Sequence, residues 1–154
     1  KLVHESPPET RVIIAGNGNY YFDIDSYKHL DYIEFRNRFI ELDELANLIR
    51  GALFTVCPYT EATQSGVVYS SFALNTPVIA TNVGGLPEMI ENGKTGLIVP
   101  PCEKNKLADA INSLLSDSAL LESFAKNIAL SAENGKGAWG LIADDYIKVY
   151  NLER

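Results

Sequence analysis

The stretch from Tyr59 to Val68, Tyr-Thr-Glu-Ala-Thr-Gln-Ser-Gly-Val-Val, sets a carboxylate, hydroxyls and a glycine directly ahead of an apolar run. Those residue types suit ligand binding better than covalent chemistry. Ser65 can cap a helix beginning near Gly66, and Gly66 lets another molecule come close to the backbone. Thr63, Gln64, Ser65, Gly66 and Val67 would then surround free amides at a helix start, where an anion is favoured. Each charge-assisted hydrogen bond to a phosphate there is worth about 1.5–3 kcal/mol, and the helix dipole adds roughly 0.3–1 kcal/mol. A plain serine cap would use the same residues, so both readings stand at this point. Ser65 makes a poor covalent nucleophile, because the G-x-S-x-G elbow is absent and neither histidine is near it in sequence. Glu61 can accept hydrogen bonds from sugar hydroxyls, although an exposed loop acid is the commoner fate of glutamate.

Two glycine turns could accompany this loop. Gly16-Asn17-Gly18 follows a strand-like run, as a dinucleotide fingerprint should, but the third glycine of G-x-G-x-x-G would fall on Tyr21. A tyrosine there blocks close helix–strand packing, so a strand-end turn at the rim of a pocket is the better reading. Gly84-Gly85-Leu86-Pro87-Glu88 reads as a tight turn and helix start, with Glu88 favouring the dipole, and is taken as structural.

The elements that must hold these residues alternate in type. Strand-like runs are expected at Val12–Ala15 (a short buried strand), Tyr32–Phe35, Leu53–Cys57, Pro77–Ala80 and Leu97–Val99. Between them Leu42, Leu45, Ala46 and Ile49 mark one helix face, ended by Gly51, and Val67–Leu74 reads as a short buried helix. Pro87 fits the first turn of another short helix, closed by Gly93. Three helical patterns follow: Leu107/Ala110/Ile111/Leu114, Leu121/Phe124/Ala125/Ile128 and Ile142/Tyr146/Val149/Tyr150. Continuous rather than alternating apolar strands imply an α/β fold, a Rossmann-like, mostly parallel sheet with helices on both faces. Trp139 and Tyr146 are read as core residues. Lys1–Glu5 reads as the tail of a helix, which suggests that a first strand and most of a first helix precede this sequence.

The 154 residues suit one domain with a real core, and 46% hydrophobic with 21% charged residues is a globular composition. No run approaches the ~20 apolar residues that span a bilayer, and no signal peptide is visible. A net charge of −7 argues against nucleic-acid binding, which needs a basic surface. It leaves room for a small phosphorylated ligand held by backbone amides. Cys57 and Cys102 are read as reduced thiols of a cytosolic protein, with a disulfide or metal binding as the minor alternatives. His4 and His29 make no ligand spacing with them, and without an acidic cluster no metal is implied.

The chain resembles the C-terminal, donor-binding half of a retaining glycosyltransferase of the GT-B type, in the family called glycosyl transferases group 1 or family 4. The resemblance lies in Pro58-Tyr59-x-Glu61-Ala62-Thr63-Gln64-Ser65-Gly66-Val67-Val68, Thr76-Pro77-Val78-Ile79-Ala80-Thr81, Val83-Gly84-Gly85-Leu86-Pro87-Glu88 and Asn92-Gly93-x-Thr95-Gly96-Leu97-Ile98-Val99-Pro100. It covers almost the whole chain, and the run from Pro58 to Pro100 is its specific part. It implies one half of a GT-B fold: residues 1–154 as a C-terminal nucleotide-sugar-binding domain, truncated at its N-terminus. It implies Thr63, Gln64, Ser65, Gly66 and Val67 at the donor diphosphate, and Gly16, Asn17 and Gly18 at the pocket rim. Backbone around Asn37, Arg38 and Phe39 would meet the base.

The sequence departs from the family in two ways. The family's pair of glutamates, eight positions apart, falls on Ala62 and Ser70. Glu61, one residue before, becomes the candidate sugar-side carboxylate, and Ser70 a weaker ribose partner. The family's arginine and lysine phosphate clamp and its N-terminal acceptor domain are absent. The implied partners are a nucleotide sugar, as substrate rather than cofactor, and the missing acceptor domain. Any association with the inner membrane face of a cytoplasmic enzyme would run through that missing part. The alternatives are a GT-B-fold epimerase or phosphorylase, or a nucleotide-binding interaction domain without turnover.

Overall fold

The computed structural model describes residues 10–20 and 22–134. Lys1–Glu5, His4, Tyr21, Trp139 and the Ile142/Tyr146/Val149/Tyr150 pattern therefore lie outside the described residues. In chain order the elements are β1 (Val12–Gly16), β2 (Ile33–Asn37), α1 (Leu42–Arg50), β3 (Thr55–Cys57), α2 (Gly66–Ala73), β4 (Val78–Thr81), α3 (Leu86–Met89), β5 (Gly96–Val99), α4 (Lys104–Ser116) and α5 (Ser118–Asn134).

All strand pairing among them is parallel, in two sheets. β1 lies along β2 from Val12 opposite Ile33 to Gly16 opposite Asn37. The second sheet has the order β3-β4-β5, with Val78 opposite both Thr55 and Gly96. Parallel neighbours need crossovers, and α2 and α3 supply them here. The fold is α/β and Rossmann-like.

β4 shows why a continuous apolar run was needed: all four of its residues are buried. Val78 and Ala80 point into a cluster with Cys57, Val68, Leu86 and Ile90, on the side of α2 and α3. Ile79 points the other way, into Val99, Ala110, Leu114 and Phe124 beneath α4 and α5. Phe124 keeps 1% of its surface, so it closes that second cluster. Buried hydroxyls are paired. Ser71 donates back to the Val67 carbonyl at 2.8 Å, and Thr76 to the Ile49 carbonyl at 3.3 Å. Among the described residues no buried side-chain polar atom lacks a partner.

Two expectations change. Val12–Ala15 forms a strand, but an exposed one: Ile13 and Ile14 point to opposite sides and keep 41% and 39% of their surface. Its only strand partner among the described residues is β2. An apolar run announces a strand; what covers it is decided by distant chain. The α1 stripe is also split. Ile49 is buried, whereas Leu42 at the opposite end is 75% exposed. Cys57 is a buried free thiol and Cys102 an exposed one. No helix among the described residues is long and apolar enough to cross a membrane.

Candidate functional site

β3 ends at Cys57, and the chain runs through Pro58–Gln64 to the first turn of α2. Ser65 is the cap: its backbone is extended and its Oγ accepts from the Val68 N–H at 3.3 Å. Ser65 is buried, at 4% exposure, and its hydroxyl lies 3.4 Å from the Tyr59 hydroxyl. Burial pushes the Tyr59 phenol and the neighbouring Cys57 thiol above their ordinary pKa ranges, so both stay neutral. The amides of Gly66 and Val67 lie in the first turn of α2, where no intrahelical acceptor reaches them and an outside partner can. Gly66 is exposed, and a Cβ built on it would meet nothing within 4 Å. Space for a ligand therefore lies directly over the helix start.

That space is an open cleft of about 640 Å³. Glu61, Ala62, Thr63, Gln64, Ser65, Gly66, Val67 and Ser70 line it, joined by Tyr59 and by Leu42 and Leu45 of α1. Ser70 is one turn on from Gly66, so a 3.6-residue period brings both to one face. Among the described residues of this lining Glu61 is the only charged side chain. A phosphate here would be held by amides and the helix dipole rather than by side-chain cations.

The other predicted site residues lie elsewhere. Gly16, Asn17 and Gly18 are exposed at the end of β1, outside the cleft lining. The Gly18 N–H donates to Asn37 Oδ1 at 3.1 Å, so the ends of β1 and β2 are tied together. Phe39 is 70% exposed. Arg38 grips Glu44 of α1 through both guanidinium arms, at 2.8 and 2.7 Å, and Arg36 reaches the same carboxylate at 2.9 Å. Arg36 also bonds Glu34 at 2.7 Å. The hydrogen bond from Arg38, then that from Arg36, holds Glu44 below the ordinary carboxylate range. This pairing fixes the start of α1 beside the cleft.

Sequence reasoning missed Leu42 and Leu45 as cleft residues because helical spacing marks a shared face without naming what it meets. It also missed how Gly84 and Gly85 meet the loop. The Gly85 N–H donates to the Thr63 carbonyl at 3.0 Å. No spacing in the sequence signals that contact.

The model of the family described as glycosyl transferases group 1 matches residues 1–117. The chain belongs to that family. Among curated relatives, the group 1 domain is 39% identical over 89 residues to spore coat protein SA of Bacillus subtilis (strain 168), covering 57% of this chain and 23% of that protein. It is 34% identical over 110 residues to a D-inositol 3-phosphate glycosyltransferase of Rhodococcus opacus (strain B4), covering 71% and 24%. The chain thus spans roughly a quarter of the length of these relatives. Among solved structures, sucrose-phosphate synthase (tll1590) from Thermosynechococcus elongatus superposes with a TM-score of 0.75 at 26% identity, over 94% of this chain and 39% of that one. Anabaena Alr3699/HepE in complex with UDP gives 0.70 at 19% identity, over 99% and 43%, a likeness of fold. The group 1 domain therefore has the Rossmann-like α/β architecture of the GT-B glycosyltransferases.

Proposed function

We propose that this chain is the C-terminal, donor-binding half of a GT-B glycosyltransferase. The full-length protein transfers a hexose from a nucleoside diphosphate sugar to a glycan, lipid or small acceptor, with retention. One observation carries the reading: the open cleft over the α2 start, where the first-turn amides of Gly66 and Val67 have no intrahelical acceptor and Glu61 is the only charged side chain among the described lining residues. That HepE is described with UDP and with UDP-glucose adds support.

In this reading Thr63, Gln64, Ser65, Gly66 and Val67 cradle the donor diphosphate, chiefly through backbone. Glu61 accepts from hydroxyls of the donor sugar, and Ser70 from or to the ribose. Asn37, Arg38 and Phe39 serve the base side, and Gly16–Gly18 the rim. The bond between the anomeric carbon and the diphosphate oxygen breaks. The acceptor oxygen bonds to the same face of the sugar and passes its proton to the departing diphosphate oxygen, so the nucleoside diphosphate leaves carrying that proton. This chain contributes positioning and charge stabilisation: helix-start amides strengthen their hold as negative charge grows on the leaving oxygen. An N-terminal domain of the same protein binds the acceptor. The enzyme works in the cytoplasm.

The test is calorimetric titration of the full-length protein with uridine, guanosine and adenosine against UDP, GDP and ADP. The diphosphate of the preferred base binds more tightly than its nucleoside. Equal affinities would return the loop to plain turn chemistry. Donor-dependent sugar transfer by the full-length protein, and none by the 154-residue chain alone, separates the enzyme from a binding module.

A further inference from the structure

Gly84 and Gly85 follow β4 and touch the cleft loop backbone to backbone. A Cβ on Gly84 would lie 1.5 Å from the Ala62 carbonyl oxygen, and one on Gly85 2.6 Å from the Thr63 carbonyl oxygen. Gly84 also sits at a φ of +50°, a left-handed conformation that suits glycine. The Gly85 N–H completes the contact by donating to the Thr63 carbonyl at 3.0 Å. Three residues before Gly84, the Thr81 hydroxyl reaches the Tyr59 carbonyl, with the Cys57 carbonyl 3.5 Å away. The exit of β4 therefore holds the loop along its length, from Tyr59 to Thr63. Gly93 makes an informative contrast. It too is left-handed, at a φ of +78°, yet a Cβ there meets nothing within 4 Å.

We propose that Gly84, Gly85 and Thr81 are positioning residues for the donor: they set the height of the Ala62–Ser65 loop and thereby aim the Gly66 and Val67 amides at the diphosphate. This rests on the donor-site reading above. A side chain at position 85 would force the Thr63 carbonyl from 2.6 Å out to the 3.4 Å of ordinary contact. The Gly85–Thr63 hydrogen bond would stretch with it. The expected loss is selective. Phosphate contacts depend on the loop's height, whereas nucleoside contacts to Ser70 and the α1 side do not.

The experiment measures the affinity ratio of diphosphate to nucleoside, with UDP and uridine or the preferred pair, in the full-length protein. Gly85→Ala lowers that ratio about tenfold or more, the equivalent of one charge-assisted hydrogen bond, while nucleoside affinity stays within about twofold. Gly93→Ala carries left-handed strain without a loop contact and keeps the ratio. A folded Gly85→Ala protein with an unchanged ratio overturns the proposal. If that variant does not fold, Thr81→Val decides, since it removes one hydroxyl at nearly constant volume. A selective fall in its ratio supports the proposal, and an equal fall for nucleoside and diphosphate refutes it. A ratio of one in the unmutated protein overturns the donor site itself, a separate outcome.

Discussion

Replacing Gly66 by valine tests the cradle at its closest point. A Cβ at that position meets no atom within 4 Å, and Gly66 is not left-handed, so the chain accepts the side chain without internal strain. The new isopropyl group instead fills the space over the amides of residues 66 and 67. Two charge-assisted hydrogen bonds at about 1.5–3 kcal/mol each put roughly 3–6 kcal/mol within reach of the substitution. Taking the low end, about 3 kcal/mol, the nucleoside diphosphate binds about a hundredfold more weakly. Nucleoside affinity, set further along α2 and α1, changes by no more than about twofold, within 0.4 kcal/mol or so on the same scale. Calorimetry supplies both constants, and far-ultraviolet circular dichroism checks that α2 persists. Equal weakening of nucleoside and diphosphate in a protein whose α2 persists would show that Gly66 does not face the phosphates. An unweakened diphosphate would place the anion elsewhere. Either result refutes the cradle.

Three further expectations follow from the same geometry. Ser65→Ala removes the α2 cap, whose hydroxyl already faces Val68 and Tyr59, and lowers unfolding free energy by about 1 kcal/mol in urea titrations. Glu61→Ala in the full-length protein lowers sugar transfer while leaving affinity for the bare nucleoside diphosphate within about twofold, a split that kinetics and calorimetry separate. Glu44, held below its ordinary value of 4.5 by Arg38 and Arg36, lends stability that is fully present above that value and is lost as pH falls through its lower folded value. Glu44→Gln therefore flattens the acid limb of a stability-against-pH curve, measured by urea unfolding at successive pH values.

Much of the fold was legible because β4 and its neighbours satisfy local and global demands with the same residues. Val78-Ile79-Ala80 had to be a doubly covered strand, since no alternation marks a wet face, and both faces are sealed. The α2 start was legible for a similar reason: a serine cap followed by glycine and valines needs only local chemistry. The burial of β1 was not legible. Ile13 and Ile14 read like the residues of β4, and only their partners distinguish the two strands. The cleft divides the same way. Glu61 through Val67 are contiguous, so one motif carries them together. Leu42 and Leu45 reach the cleft only because α1 crosses its edge, and Gly84–Gly85 meets the loop across some twenty intervening residues. Long-range contacts of that kind leave no periodic trace.

The division of the strands into a pair and a triple has a consequence for how the molecule breathes. β4 is bonded along both edges and sealed on both faces, while β1 is bonded to β2 alone among the described strands and is wet. Opening free energies follow such differences in coverage, so amides of β4 exchange with solvent only through near-global unfolding, and those of β1 through a cheaper, separate excursion. The loop from Tyr59 to Thr63 is hung from the exit of β4. Its timescale is thus inherited from the slowest part of the domain. The β1–β2 end can fluctuate many times while the Tyr59–Thr63 loop stands still.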